Sequence, residues 1–258
     1  MHLLSSNYPF LPLWLLTILL FLALLAAREL GAFVGMRLRT TGETDDDAFA
    51  MTTVLGLLAL LIGFTFSIAL QRYDARRALV VEEANAIGTT WLRLALLPAE
   101  DQPRLRGLLR DYTQARVDFG HAKSSEEEQV LHVRSQRLQA VVWQEMVGAT
   151  SDFKDTARAS LLLTTTNQAI DLSEERLASR QAHVPARILW MLVLFAVLAS
   201  GLVGYERPRH RRTSALVLAL FTLAAALVVD LDRPTTGITN VPQVAMQSLL
   251  DSMQTNAQ

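Results

Sequence analysis

The chain has 258 residues, of which 51% are hydrophobic and 19% charged, and its formal net charge at pH 7 is −1. This apolar share is high for a soluble domain, and the near-neutral charge gives no basis for nucleic-acid binding. The absence of cysteine excludes disulfides and thiolate metal sites. Alternating apolar and polar residues are scarce, so we expect an all-α membrane protein.

Four apolar segments are long enough to cross a bilayer, at residues 11–27, 51–70, 188–205 and 214–229. About 20 helical residues span a hydrocarbon core of roughly 30 Å. A cleaved signal peptide is the alternative for the first segment. No Lys or Arg precedes that segment, however, so a membrane helix extending towards Met36 is favoured.

The two pairs of spans enclose a long polar region. The predicted organisation is a first transmembrane pair at 1–70, an extramembrane helical region at 71–186, a second transmembrane pair at 187–232 and a C-terminal tail at 233–258. The second helix should continue far beyond the membrane, because no proline interrupts it before Pro98. We therefore expect a helical bundle built on extensions of the second and third membrane helices.

Three more helices are expected in the middle region. One begins at Asp101 or Pro103, and one at Ser124 or Ser125, where three glutamates follow in the first turn. A third covers about 153–183. In the tail, apolar residues at helical spacing favour a short amphipathic helix over a frayed end. These residues are Met246, Leu249, Leu250 and Met253.

The short loop at 207–212, RPRHRR, is the main indicator of orientation. Short basic loops stay in the cytoplasm, and an even number of spans puts both termini and the middle region on the other side. We therefore expect the helical region on the extracytoplasmic side, although Arg72, Arg76 and Arg77 flank the membrane there.

Small residues recur at helical spacing in the second span. They are Gly56, Ala59, Gly63 and Ser67. Such a stripe is typical of close helix packing. The alternative is a pore axis, where small side chains leave room for ions and Phe64 constricts the passage.

Polar residues form a stripe beyond the membrane on the same helix. They are Glu82, Asn85, Thr89 and Arg93. A solvated helix face is one interpretation. The polar lining of a shared pore vestibule is the other.

The fourth span ends in Asp230 and Asp232, which meet the negative end of the helix dipole. We expect cations nearby and propose an interfacial charge cluster with Arg72, Arg76 or Arg233. A solvated helix end is the alternative. At the end of the first span, Arg28 is expected to snorkel to the interface, and Glu29 points about 100° away from it.

The sequence contains no motif of enzyme or cofactor chemistry. It has no phosphate-binding loop, no nucleophile elbow and no His-Glu-x-x-His metal motif. The acidic run at 44–49 could attract a divalent cation, but a solvated loop that caps the second helix is favoured. We expect no enzyme activity, no cofactor and no metal site.

Two stretches carry a family resemblance. GFTFSIALQRYDARRALVVEEANAIGTTWLRLALLP, from Gly63, and VVDLDRPTTGITNVPQVAMQSLLD, from Val228, resemble the bacterial bestrophin-like family. The resemblance extends from about residue 25 to 252. That family consists of small membrane proteins of largely unassigned function.

The resemblance implies a remote relation to the true bestrophins. Those are pentameric ion channels with four membrane helices per subunit and a pore lined by the second helix. The stretch RYDARR is similar to the segment that follows their pore helix. Bestrophins hold the helical domain in the cytoplasm, whereas the basic loop at 207–212 favours the opposite orientation here.

Two functions follow from these observations. The first is a homo-oligomeric ion channel or transport protein of the bacterial inner membrane, a pentamer if the resemblance holds. Its partners would be the lipid bilayer and inorganic ions. The second is a membrane-anchored interaction or sensory module without a pore.

Overall fold

The computed structural model describes residues 12–38 and 45–255 of the chain. The described part is all helical and contains no strand, which confirms the predicted fold class. Four of its helices are long and apolar enough to cross a membrane. The helices are α1 Leu13–Leu38, α2 Asp45–Arg93, α3 Gln102–Gly120, α4 Ser125–Ala149, α5 Ala157–Gln181, α6 Ala186–Glu206, α7 Arg211–Asp232 and α8 Val244–Thr255.

The second helix is the longest element, with 49 residues. At a rise of about 1.5 Å per residue it exceeds the length that a bilayer needs more than twofold. It ends at Arg93, before the predicted Pro98, and a short 3-10 helix, Leu94–Leu96, follows. Leu97 is extended, with a φ of −78° and a ψ of 159°, as a residue before proline prefers.

Helix starts in the middle region follow their capping residues. Ser124 is extended, and its hydroxyl accepts a hydrogen bond from the Glu127 amide at 3.1 Å. Thr156 caps α5 in the same way, accepting from the Ala159 amide at 3.3 Å. Pro103 lies in the first turn of α3, where its missing N–H has no intrahelical acceptor to lose.

The chain divides into two compact units. The membrane unit comprises the described parts of 1–72 with 183–233 and 237–239, and the bundle unit comprises 73–182 with 234–236 and the described part of 240–258. The apolar spans of α1, α6 and α7 lie in the membrane unit, as does the first part of α2.

Glycines let α1 and α6 pack backbone to backbone in the membrane unit. A methyl group on Gly204 would overlap the Arg28 carbonyl, and one on Gly31 would overlap the Gly201 carbonyl. The Ser200 hydroxyl donates to the Leu24 carbonyl at 2.5 Å across the same contact. Small residues allow this approach, and in lipid close packing and interhelical hydrogen bonds drive helix association.

The bundle unit has an apolar core formed by its helices. Trp91, Tyr112, Met146 and Leu162 are among its buried members. Three residues predicted for the apolar face of the tail, Met246, Leu250 and Met253, are at most 2% exposed in this core. The C-terminal segment is therefore a folded part of the bundle unit.

Candidate functional site

The membrane half of α2 has one buried and one exposed face within the chain. Met51, Leu58, Thr65 and Ala69 are buried. The small residues Gly56, Ala59, Gly63 and Ser67 are all exposed. A methyl group added to Gly56 or Gly63 would meet no atom within 4 Å. Within residues 12–38 and 45–255, no helix therefore covers the small-residue stripe.

Large apolar side chains lie beside this stripe. Phe64 is 62% exposed, Leu60 53% and Leu57 42%. A mixed face of small and large apolar residues can meet lipid, another copy of the chain or a narrow aqueous passage. Phe64 follows Gly63 directly, so a bulky ring stands next to an open position.

The polar stripe on the outer half of α2 divides into two parts. Glu82 and Asn85 are exposed, whereas Thr89 and Arg93 are half-buried. Thr89 donates to the Asn85 carbonyl at 2.8 Å, and Arg93 donates to the Leu161 carbonyl at 2.9 Å. The polar side chains of the stripe that are exposed to solvent are therefore those of its first two residues, Glu82 and Asn85.

A buried charge network lies next to this stripe and was not predicted. Glu83 is fully buried and accepts hydrogen bonds from Arg116 and Arg176. The Arg176 bond measures 2.7 Å, and the same guanidinium also donates to the Gln243 side chain. The network thereby joins α2, α3, α5 and the segment before α8.

Burial and charge act in opposite directions on the pKa values of this network. Burial raises the pKa of Glu83, but the two guanidiniums and their hydrogen bonds outweigh it and hold the pKa below its usual value. Burial lowers the pKa of Arg176 to about 10 despite Glu83, and Arg116 adds to the lowering. All three groups are therefore charged at neutral pH.

Phe119 stands between three guanidinium groups. Their central carbons lie 4.4 Å from the ring centroid for Arg116, 4.8 Å for Arg180 and 5.5 Å for Arg176. The ring face attracts cations, which offsets part of the cost of burying them. Arg180 also pairs with Glu128 at 2.8 Å. Gly120 has no room for a side chain, because Gln243 and Arg176 lie against it.

The two carboxylates at the end of α7 bind backbone and hydroxyl groups. Asp230 accepts from the Ile238 amide at 2.5 Å, the Thr239 amide at 3.1 Å and the Thr239 hydroxyl at 2.7 Å. Asp232 accepts from the Val184 amide at 2.8 Å. The Asp-Leu-Asp sequence thus anchors both the start of α6 and the loop that follows α7.

Arg233, a member of the predicted charge cluster, interacts electrostatically with both Asp230 and Asp232. Partial burial lowers its pKa, and Asp230 and Asp232 act in the opposite direction. Pairing of these acids with Arg72 or Arg76 stays a prediction. Hydrogen bonds from backbone amides also stabilise the carboxylates of Asp230 and Asp232.

The structure corrects the prediction for Arg28. Its side chain is 1% exposed and does not snorkel to the surface. It pairs with Glu29 at 2.6 Å and donates to the carbonyls of Arg207 at 3.0 Å and Pro208 at 2.9 Å. The close α1–α6 contact brings these carbonyls within reach, so the guanidinium finds acceptors inside the protein.

The acidic run at 44–49 is described only in part. The side chains of Asp45, Asp46 and Asp47 lie outside the described residues. Within the described residues, no group of three metal-ligating side chains forms a potential metal site.

The fold matches solved bacterial membrane proteins. A variant of a bacterial bestrophin homolog from Klebsiella pneumoniae has a TM-score of 0.68 at 14% identity, with 93% of this chain and 94% of that chain covered. Another structure of the Klebsiella homolog gives 0.67 at 16% identity, with 93% and 96% covered. None of the curated proteins compared with the chain is a significant match.

Identities this low show only the fold, whereas a match to a family model assigns the chain to a family. The model of the bestrophin-like domain matches residues 18–246, which include most of the first span, the other three spans and the bundle helices between them. The chain belongs to the bestrophin-like domain family.

Proposed function

We propose that the chain is the subunit of an oligomeric ion channel or related transport protein whose pore is lined by α2. The observation that carries the proposal is the exposed face of Gly56, Ala59, Gly63 and Ser67. Membership of the bestrophin-like family supports it, because channels are known among the bestrophins.

One copy of the chain cannot enclose a passage with this face, because the face is open on its own subunit. Several copies arranged around an axis would bring the same face together from each subunit, as closed cyclic symmetry allows. The bestrophin resemblance favours five copies. The small side chains would leave space at the axis, and Phe64 would form an apolar constriction of the kind that gates by dewetting.

The outer half of α2 supplies the proposed vestibule. Glu82 and Asn85 are exposed there and would form a polar ring in each oligomer. Rings of acidic side chains favour cations at a pore entrance. Glu83 would not touch the ions, since it is buried, but its bonds to Arg116 and Arg176 would hold this part of α2 in place.

We also propose that the protein lies in the bacterial inner membrane with the bundle unit on the extracytoplasmic side. The basic turn at 207–212 supports this orientation. Reporter fusions after Ser124 and after His210 test it. A cytoplasmic signal from the Ser124 fusion would reverse the orientation and favour the arrangement of true bestrophins.

Two measurements test the channel proposal. The first is the subunit number of the purified protein in mild detergent. A strictly monomeric protein would contradict the proposal. The second is ion flux in liposomes, which Gly63→Leu and Ser67→Leu should reduce severely. Ala26→Leu is the matched control, because Ala26 is an exposed small residue on α1.

The alternative is a membrane-anchored interaction or sensory module. A groove of about 1000 Å³ in the bundle unit favours it, with Asp111, Glu126 and Arg137 among its lining residues. A monomer, or an oligomer that passes no ions, would support the alternative.

A further inference from the structure

The turn between α6 and α7 carries a concentration of positive charge at the edge of the membrane unit. Arg207, Arg209, Arg211 and Arg212 are all exposed. The turn follows the apolar segment of α6 and precedes that of α7, so these side chains lie where both helices leave the hydrocarbon core.

The turn is fixed by α1 rather than loosely attached. The buried Arg28 guanidinium donates to the carbonyls of Arg207 and Pro208, at 3.0 and 2.9 Å. Gly35 lies directly against the end of α6, where a methyl group would come within 2.6 Å of the Tyr205 carbonyl. The backbone of a turn held in this way loses little conformational entropy when the turn binds a ligand.

One of the four arginines is already paired. Glu29, on α1, binds Arg211 at 3.1 Å as well as Arg28 at 2.6 Å. Within the described parts of the chain, no acidic side chain forms an ion pair with Arg207, Arg209 or Arg212. All three guanidiniums are exposed, and their ion-pair partners do not include any described acidic side chain.

Acidic residues also occur at this end of the unit. Asp45, Asp46 and Asp47 begin α2, and the six-residue connection from α1 spans at most about 21 Å, too short to cross the bilayer. These acids lie in the first turn of α2, and the arginines lie on the α6–α7 turn and at the start of α7.

Exposed apolar side chains continue from the charged turn along the spans. Leu216 and Leu220 on α7 are 63% and 60% exposed, and Leu198 on α6 is 60% exposed. The protein thus presents guanidinium groups next to an apolar surface. A phospholipid has the complementary arrangement, with a phosphate next to its acyl chains. A guanidinium binds phosphate oxygens through two parallel hydrogen bonds.

We propose that Arg207, Arg209 and Arg212 bind the headgroup of an anionic phospholipid, while the exposed leucines of α6 and α7 contact its acyl chains. Three exposed arginines favour a lipid with net negative charge over a zwitterionic lipid, whose own cation balances its phosphate. The inference requires only the membrane spans and stands independently of a pore.

Native mass spectrometry of the full-length protein tests the proposal. The protein in detergent is given equal amounts of phosphatidylglycerol and phosphatidylcholine with identical acyl chains. We expect preferential retention of phosphatidylglycerol. The triple variant Arg207→Gln, Arg209→Gln, Arg212→Gln should reduce this preference about a hundredfold, since each surface arginine contributes roughly fivefold. Equal retention of both lipids by the unmodified protein would overturn the proposal.

The matched control is Arg104→Gln, Arg134→Gln, Arg137→Gln, which removes the same charge from exposed positions of the bundle unit. It should keep the lipid preference, and an equal loss in both triple variants would contradict the site. A triple lysine variant at 207, 209 and 212 should retain most of the preference. If the glutamine variant does not fold, the lysine variant and a salt series decide, since a preference unaffected by salt would overturn the proposal. Complete displacement by excess inorganic phosphate would identify a free-phosphate site instead.

Discussion

In the membrane unit, Gly31, Gly35 and Gly204 let two helices meet backbone to backbone, whereas the bundle unit surrounds a charge network with large apolar side chains. The two surroundings explain the difference. In the membrane, an apolar side chain gains little free energy when it exchanges lipid contacts for contacts with another helix. Close packing and hydrogen bonds therefore hold the helices together. In water, burial of apolar side chains is the main driving force.

The two units also differ in the groups that bind their buried arginines. Arg28 is satisfied largely by backbone carbonyls at a helix end, and Arg116 by the carboxylate of Glu83. Removing a contact should therefore have different consequences in the two units. Four predictions test this difference.

The largest effect is expected for Gly204→Ala in the membrane unit. The new methyl group would overlap the Arg28 carbonyl, which is backbone and cannot move aside without displacing α1. We expect a loss of about 3 kcal/mol or more in the free energy of unfolding, measured in detergent. Gly201→Ala, on the same helix, is the control, because its methyl group would meet only the Ala27 carbonyl at 3.7 Å. Equal destabilisation by both variants would contradict the backbone contact.

Next in size is Glu83→Gln in the bundle unit. The change leaves Arg116 and Arg176 buried without their carboxylate, although the amide oxygen still accepts a hydrogen bond, so we expect a loss of about 2 to 3 kcal/mol in the free energy of unfolding. The neighbouring exposed residue provides the control, since Glu82→Gln should change stability by less than about 0.5 kcal/mol. Thermal unfolding of both variants in one detergent gives the comparison. A Glu83→Gln variant as stable as Glu82→Gln would refute the network.

A smaller loss should follow Asp230→Asn. The amide side chain can accept fewer hydrogen bonds and lacks the charge that strengthens those from Ile238 and Thr239. We expect destabilisation by about 1 to 2 kcal/mol and faster proteolysis in the loop at 233–239. Asp251→Asn, at an exposed position on α8, should have no such effect.

The smallest effect concerns acid pH. The pKa of Glu83 is lower in the folded than in the unfolded chain, so its stabilisation is complete above the unfolded pKa of about 4.3. The stabilisation is lost as the pH falls from there through the folded pKa. Below about pH 4, the stability difference between the unmodified protein and Glu83→Gln should therefore narrow. A difference that is constant with pH would contradict a charged Glu83.

Patterns local in the sequence predicted the helical fold, the four spans, a helix start at Ser124 or Ser125 and the long second helix. The charge network was not predicted, because Arg116 and Arg176 are 33 and 93 positions away from Glu83 in the sequence. One signal was present. Arg116 shares the 3 and 4 spacing of Leu105, Leu109, Tyr112 and Phe119, so an arginine stood on the buried face of α3.

The packing glycines were missed for a different reason. The sequence shows a small-residue stripe on α2, yet a methyl group on Gly56 or Gly63 would meet no atom of the described residues within 4 Å. The glycines that allow close approach lie on α1 and α6, and their partners are backbone atoms of distant residues. Spacing within one helix identifies a small-residue face but not what covers it.

Thiol modification tests most directly whether that uncovered face lines a pore. The chain has no cysteine, so Ser67→Cys provides a single reactive site on α2 and Ala26→Cys a matched site on α1. Conductance in KCl is recorded before and after a water-soluble, charged thiol reagent. If α2 lines the pore, the reagent changes the conductance of Ser67→Cys and leaves Ala26→Cys and the unmodified protein unaffected. A conducting Ser67→Cys channel that the reagent does not affect would contradict the proposal.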